Sequence, residues 1–331
     1  MDHFPGWHRL TEISRVLVAG GAGFIGSHIV DALLRRGTEV GIIDDYSTGD
    51  AGNLAPPSSP LVRVHRGDVR DEAFVTEAVR GYDAVVHEAA RVSVTRSVED
   101  PELTNAVNVG GTVNLLCAAR DAGVKRFVYA SSSSVYGETE VQPKVETMAP
   151  DPISPYAVSK LAAENYCRVF ASVYGMETVS LRYFNVYGPR QKHGQYSGVI
   201  PAFVKRVMEN RPPIVFGDGE QTRDFTYVGD VVSANLLSLE APMKPGQAEV
   251  LNIGSGRNVT LNELAATITA LMGRPELKPE HAAPRAGDVR NSLSDISRAA
   301  SAIGYSPKVS LEAGLTSVIE WFTKLPTVKT S

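Results

Sequence analysis

Cysteine is scarce: the 331 residues contain two, Cys117 and Cys167. Both fall in helical patterns, which argues against a disulfide framework or a thiolate metal site and suits buried thiols in a reducing cytoplasm. A surplus of one charge is also missing. The 33 Lys and Arg against 37 Asp and Glu leave a net charge of -4, so there is no basic field for nucleic acid and no cationic run for a membrane surface. No apolar stretch reaches membrane-spanning length. The amino-terminal MDHFPGWHRL has acidic, proline and histidine residues where a secretory signal would have an apolar core. Internal repeats and low-complexity segments are absent. These absences leave a soluble, cytoplasmic chain without nucleic-acid or membrane partners, long enough for one large domain or two intimate ones.

What is present begins with Arg15-Val16-Leu17-Val18-Ala19, a short buried strand that runs into Gly20-Gly21-Ala22-Gly23-Phe24-Ile25-Gly26. A helical pattern follows through Ile29, Leu33 and Leu34 to Gly37. Gly20, Gly23 and Gly26 supply a tight turn, a close backbone approach and close helix packing, as needed to seat a pyrophosphate on the helix N-terminus. The next strand, Val40 to Ile43, ends at Asp44-Asp45, where a carboxylate can accept both hydroxyls of an adenosine ribose. Asp44 favours NAD over NADP. A carboxylate repels a 2′-phosphate, and no Arg or Lys follows within Asp45-Tyr46-Ser47-Thr48 to receive one.

Further strand-like runs at Leu61–Val64, Ala84–His87, Arg126–Ala130, Thr178–Tyr183 and Glu249–Ile253 alternate with helical segments such as Val107–Ala122 and Ala157–Tyr174. This alternation predicts an α/β fold of Rossmann type, a doubly wound parallel sheet with right-handed crossovers. From about Asn185, prolines and glycines interrupt short elements and predict a smaller C-terminal substrate-binding lobe. The cofactor domain is expected over 13–184, with 226–255 returning to it, and the lobe over 185–225 and 256–325.

Chemistry is concentrated in Tyr156-Ala157-Val158-Ser159-Lys160 and in Ser131-Ser132-Ser133-Ser134 upstream. Residues four apart share a helix face, so the Lys160 ammonium is expected beside the Tyr156 ring, favouring its phenolate and making it a base near neutral pH. A phenol, an ammonium and a hydroxyl at one centre suggest redox chemistry on an alcohol carbon. His87, next to Glu88, has no further ligands at metal spacing and is read as a strand-end residue near the cofactor.

The chain resembles the extended short-chain dehydrogenase/reductase family, in the nucleotide-sugar branch that includes the UDP-hexose 4-epimerases. The resemblance spans Val16 to Phe322. It rests on AGGAGFIGSH, DDYSTGD, GDVRD, HEAARVSV, NVGGTVNLL, YASSSSVYG, SPYAVSK, LRYFNVYGPRQ, VFGDGEQTRDFTYV, LNIGSGRNVTLNEL and RAGDVRNSLSDISRA, in this order.

The resemblance implies a bound NAD held by Gly20, Gly23, Phe24, Ile25, Gly26, Asp44, Asp45, Ser47, Gly49, Asp68, Val69, Ala89, Ala90, Asn108, Tyr156, Lys160 and Tyr183. Asp68 would hold the adenine amino group, and Asn108 would position the helix beside the active site. Tyr156 is then the general base, Lys160 its electrostatic partner and a ligand of the nicotinamide ribose, and Ser132 the catalytic hydroxyl. A UDP-sugar would be bound by Ser132, Asn185, Val199, Phe216, Arg223, Arg285, Asp288 and Ser292, with arginine forks on the diphosphate. Ser292 would border the C2 substituent of the hexose; the bland alternative is a surface serine at a helix cap. The helices around 107–122 and 157–174 match those through which relatives form homodimers.

The implied activity is 4-epimerisation of UDP-glucose and UDP-galactose, and of their N-acetyl counterparts, through a transient 4-keto sugar. The 4,6-dehydratases place an Asp-Glu pair where this chain has Ser133 and Ser134, and UDP-glucuronate decarboxylases place Glu at Ser134. A UDP-glucuronate 4-epimerase or another 4-keto-reductase stays open, as does a non-catalytic NAD-binding protein, which would be expected to lose the Tyr-Lys pair.

Overall fold

The computed structural model describes residues 13–54, 59–191, 198–284 and 290–324. Seven strands form its central sheet: β1 (Arg15–Ala19), β2 (Glu39–Asp44), β3 (Val62–Arg66), β4 (Ala84–His87), β5 (Arg126–Ser132), β6 (Glu177–Tyr183) and β7 (Ala248–Ile253). Every pairing is parallel, in the order β7-β6-β5-β4-β1-β2-β3. The order reverses between β1 and β4, which opens a crevice at the carboxyl ends of those strands, where α/β sheets take their ligands.

Strand residues alternate between two cores, as a sheet covered on both faces requires. Val16 and Val18 of β1 point into one core with Ile29 and Leu33 of α1 (Phe24–Arg35). Leu17 and Ala19 point into the other, with Val75, Leu115, Ala163 and Cys167 from the helices of the opposite face. Those helices are α2 (Glu72–Ala78), α3 (Gly111–Asp121) and α4 (Pro155–Tyr174). The segment predicted as one helix over 107–122 is wound in two ways. Ala106–Gly110 is a π-helix and α3 continues from Gly111.

A third core, with Phe203, Val204, Phe225, Leu264, Leu315 and Val318, belongs to the smaller lobe. The expected return to the sheet is made by α5 (Val228–Glu240) and β7. The boundary drawn at 256 assigns everything after it to the lobe. However, Ala299 and Ile303 of α6 (Ser297–Ile303), and Tyr305, join the core with Val231 and Leu251, because that short helix covers the edge of the sheet next to α5. Among the described residues no helix is long and apolar enough to cross a membrane, and no cluster of three His, Cys, Asp or Glu could hold a metal ion.

Candidate active site

The glycine loop leaves β1 and enters α1 with no side chain capping the helix, so its first N–H groups remain available to an anion. Gly20 has φ +83°, and a Cβ there would lie 2.5 Å from the Ala89 nitrogen; a Cβ on Gly26 would lie 2.2 Å from the Gly20 carbonyl oxygen. Side chains at either place would fill the cradle. Phe24 and Ile25 open α1 directly after Gly23.

Asp44 ends β2 and is buried. Its carboxylate accepts from the Ala22 and Tyr46 N–H groups, both at 2.9 Å, and so ties the strand end to the glycine loop. Gly49 packs on the same carboxylate, and Asp45 accepts from the Ser47 N–H at 2.8 Å. Inspection of the residues after Asp44 misses a neighbouring strand: Arg66 pairs with Asp44 in register, and its guanidinium lies 5.5 Å from the centre of the Tyr46 ring. Asp68 is engaged by Arg70, whose fork holds the carboxyl below its usual range. Val69 packs against Gly111 at the head of α3.

At the other end of the cleft, α4 begins with Ser154, whose hydroxyl accepts from the Ala157 N–H at 3.1 Å, followed by Pro155 at the first helical position. Both are strong start signals. They fix Tyr156 in the first turn, where its N–H donates to Ser97 Oγ at 3.0 Å. Asn108, carried inward on the π-turn, accepts from the Arg91 N–H at 2.7 Å and donates to Ser159 Oγ at 2.9 Å. Ser159 in turn donates to the Tyr156 carbonyl at 2.7 Å. Asn108 therefore positions the start of α4 through a chain of three residues.

Lys160 Nζ donates to the Ala130 carbonyl at 2.8 Å and lies 6.0 Å from the centre of the Tyr156 ring. Burial pushes the Tyr156 phenol up from its ordinary value, against a hydrogen bond with Ser132 that pulls it down and the Glu88 charge that adds to the rise. The expectation from spacing is that Lys160 favours the phenolate; burial acts in the opposite sense on the phenol. In the protein by itself desolvation wins, and burial also lowers the Lys160 ammonium. Ser132 closes β5 opposite Tyr183 on β6, and its oxygen accepts from the Ser134 N–H at 3.2 Å. Of its neighbours, Ser131 donates to Glu164 at 2.7 Å, which is a structural role.

His87 is buried and is held by Thr112. The Thr112 hydroxyl gives its proton to the Asn108 carbonyl at 2.6 Å, so the contact at 2.9 Å is a donation from His87 Nε2. Nδ1 has no partner among the described residues, and burial lowers the imidazole to about 3. It is a neutral core histidine. Tyr183, at the end of β6, donates to Glu88 at 2.7 Å and accepts from Asn235 at 2.8 Å.

The substrate-side residues are more dispersed. Asn185 has φ 28° and donates to the Asp224 carbonyl at 3.3 Å. Val199 opens a lobe helix and Phe216 ends a short strand. Arg223 lies on a strand whose neighbour Thr222 bridges to Asn291. Ser292 is buried, with its N–H on the Thr222 carbonyl at 3.2 Å, so the surface-serine alternative does not hold. Arg285 and Asp288 lie outside the described residues. Asp224, which the sequence reading passed over, is the hub of this region: its carboxylate accepts from the N–H groups of Ser255, Gly256 and Ser294 at 2.7 to 3.1 Å and from the Ser255 and Ser294 hydroxyls. It fixes the segments that carry Arg223 and Ser292.

Residues 16–254 match the NAD dependent epimerase/dehydratase family. A UDP-glucose 4-epimerase of Mycolicibacterium smegmatis is 40% identical over 313 residues, covering 93% of this chain and 98% of that protein. Among solved structures, a UDP-glucose 4-epimerase of Thermotoga maritima with UDP-glucose superposes with a TM-score of 0.88 at 40% identity, covering 94% of this chain and 99% of the other. The UDP-N-acetylglucosamine 4-epimerase of Methanobrevibacter ruminantium M1, in complex with UDP-N-acetylmuramic acid, gives a TM-score of 0.89 at 36% identity, with 95% and 99% covered.

Proposed function

The chain belongs to the NAD-dependent epimerase/dehydratase family, and from that premise we propose that it is a UDP-hexose 4-epimerase acting on UDP-glucose and UDP-galactose and on their N-acetyl counterparts. The observation that carries the reading is Lys160, tethered to the Ala130 carbonyl at 2.8 Å and 6.0 Å from the centre of the Tyr156 ring, with Ser132 at the carboxyl edge of β5 lowering the same phenol. The residues present fit NAD: a glycine cradle that a Cβ would fill, a helix N-terminus without a side-chain cap, and the Asp44 carboxylate at the end of β2. When bound, NAD supplies the hydride acceptor and donor for the sugar C4.

The chain's own part is to manage protons and position. Tyr156 takes the proton of the C4 hydroxyl, Ser132 steadies that oxygen and passes the proton, and Lys160 supplies positive charge beside the phenol. Inversion requires the 4-keto sugar to turn over while the UDP stays anchored. Asn185, Arg223, Arg285, Asp288 and Phe216 are assigned to that anchor. Ser133 and Ser134, in place of an acidic pair, leave no general acid for dehydration.

A homodimer through α4 is part of the proposal. Val158, Tyr166, Val169 and Val173 follow one another at intervals of eight, three and four, which places them on one helix face, and are 41 to 64% exposed, an apolar stripe of the kind that a partner helix covers. Incubation with UDP-glucose, UDP-galactose and the N-acetyl pair, followed by anomeric-proton NMR, tests the activity. Interconversion of epimers is expected; a 4-keto-6-deoxy product or no turnover of any of the four would overturn it.

A further inference from the structure

We propose that Glu88 sets the redox preference of the bound cofactor, favouring the oxidised, cationic nicotinamide over the reduced, neutral one. The inference rests on the reading of the cleft as an NAD site and deepens it.

Placement carries the argument. Glu88 is the first residue beyond β4, and Gly20 the first beyond β1, on the two strands between which the sheet order reverses. They are so close that a Cβ on Gly20 would lie 2.8 Å from the Glu88 carbonyl carbon. On the other side His87 pairs with Tyr129 of β5, which sets Glu88 level with Ala130, the residue whose carbonyl holds Lys160. Glu88 thus stands at the crevice, between the glycine cradle and the catalytic pair.

Its carboxylate is also fixed there. Oε1 accepts from the Tyr183 hydroxyl at 2.7 Å, and that hydroxyl accepts from Asn235 Nδ2 at 2.8 Å. The same Nδ2 donates to the Val231 carbonyl at 2.9 Å, so the amide is anchored to α5. A phenol with its proton committed to Glu88 and its oxygen committed to Asn235 cannot turn away. Burial raises the Glu88 carboxyl, and Lys160 opposes that rise.

The ring that exchanges hydride has to lie within reach of the carbon whose hydroxyl meets Tyr156. The field of Glu88 acts on both Tyr156 and Lys160, and so it acts on that ring too. Oxidised nicotinamide carries a positive charge that reduction removes. A fixed carboxylate at this crevice, in surroundings of low effective dielectric, would stabilise only the charged form of a ring bound there. With NAD bound, the Glu88 carboxylate would hold the resting cofactor in its oxidised form and would favour return of the hydride to the sugar.

The test is the midpoint potential of the nucleotide in the holoenzyme, read at 340 nm during equilibration with reference dyes at pH 8.5, where the carboxyl is ionised. Glu88→Gln keeps an acceptor for Tyr183 and removes only the charge. It is expected to favour the reduced form about tenfold, which for a two-electron couple is about 30 mV in the positive direction. Glu88→Asp, which keeps the charge, should stay nearer the wild type. Should Glu88→Gln lose its nucleotide on purification, calorimetric titration with NAD+ and NADH gives the same comparison, with the preference for NAD+ expected to fall about tenfold. An unmoved potential, or equal loss of affinity for both forms, overturns the inference while leaving the NAD site intact. Failure of the wild type to bind either form would instead sink the reading on which it rests.

Discussion

Both carboxylate oxygens of Glu164 hold the guanidinium of Arg182, at 2.6 and 3.0 Å. Ser131 donates to the same carboxylate, and the guanidinium lies 4.7 Å from the centre of the Tyr136 ring. Tyr156, Lys160 and Glu164 succeed one another at intervals of four along α4, so this ion pair clamps the helix that carries all three to β5 and β6. Both side chains are almost fully buried. Glu164→Ala would strand a buried cation, at a cost of about 3–5 kcal/mol. A fall of that size in stability is expected in urea unfolding, and a loss below about 1 kcal/mol would show that the clamp contributes no more than a surface pair.

Tyr156→Phe removes the proton acceptor and little else. Binding of NAD and UDP-sugar should stay near wild type in calorimetry while turnover falls at least about a hundredfold. Lys160→Ala should weaken cofactor binding as well, since Lys160 is assigned to both roles. Turnover of Tyr156→Phe at the wild-type rate would refute the proposed chemistry.

Stability should depend on pH through His87. Its native value, about 3, lies below the ordinary 6.5 of an unfolded histidine, so acid protonates the unfolded chain first. The contribution is complete above pH 6.5 and is lost progressively as pH falls toward 3. Between pH 6.5 and 5 the loss amounts to about 2 kcal/mol. His87→Gln, compared with wild type by denaturant unfolding at both pH values, should show a dependence flatter by about that amount.

Asp44→Ala should weaken the preference for NAD over NADP, because it removes the carboxylate that repels a 2′-phosphate and leaves Arg66 on the adjacent strand. Calorimetry with the two nucleotides measures the ratio. A wild type that bound NADP more tightly than NAD would reverse the assignment of Asp44.

Substrate size is assigned to Ser292. A small side chain leaves room for an acetamido group at C2, which a phenol in the same place would overlap. UDP-N-acetylglucosamine should therefore be epimerised alongside UDP-glucose, and Ser292→Tyr should abolish the first activity while sparing the second. Equal loss of both by the variant would sink the gate.

The sheet was legible because most of its strands are runs rich in Val, Leu and Ile, and the placement of Lys160 beside Tyr156 was legible because residues four apart share a helix face. Contacts made by sheet order were not. Glu88 meets Tyr183 across 95 positions, Asn108 meets Ser159 across 51, and Asp224 meets Ser294 across 70; no local pattern encodes such pairs. The ionisation of Tyr156 was misjudged for the same reason. Helical spacing brought Lys160 near, but the desolvation that raises the phenol comes from the packed fold and is not encoded in a spacing.

The π-turn at Ala106–Gly110 acts as a reading-frame shift within one helical rod. It accommodates one more residue than an α-helix would over the same length. Deleting a single position there would restore regular winding and leave the flanking turns nearly in place, because it removes the surplus residue itself. What would be lost is the wide turn itself, which carries Asn108 inward to Ser159. The length of the chain at this point is thereby tied to the placement of Asn108 between Arg91 and Ser159.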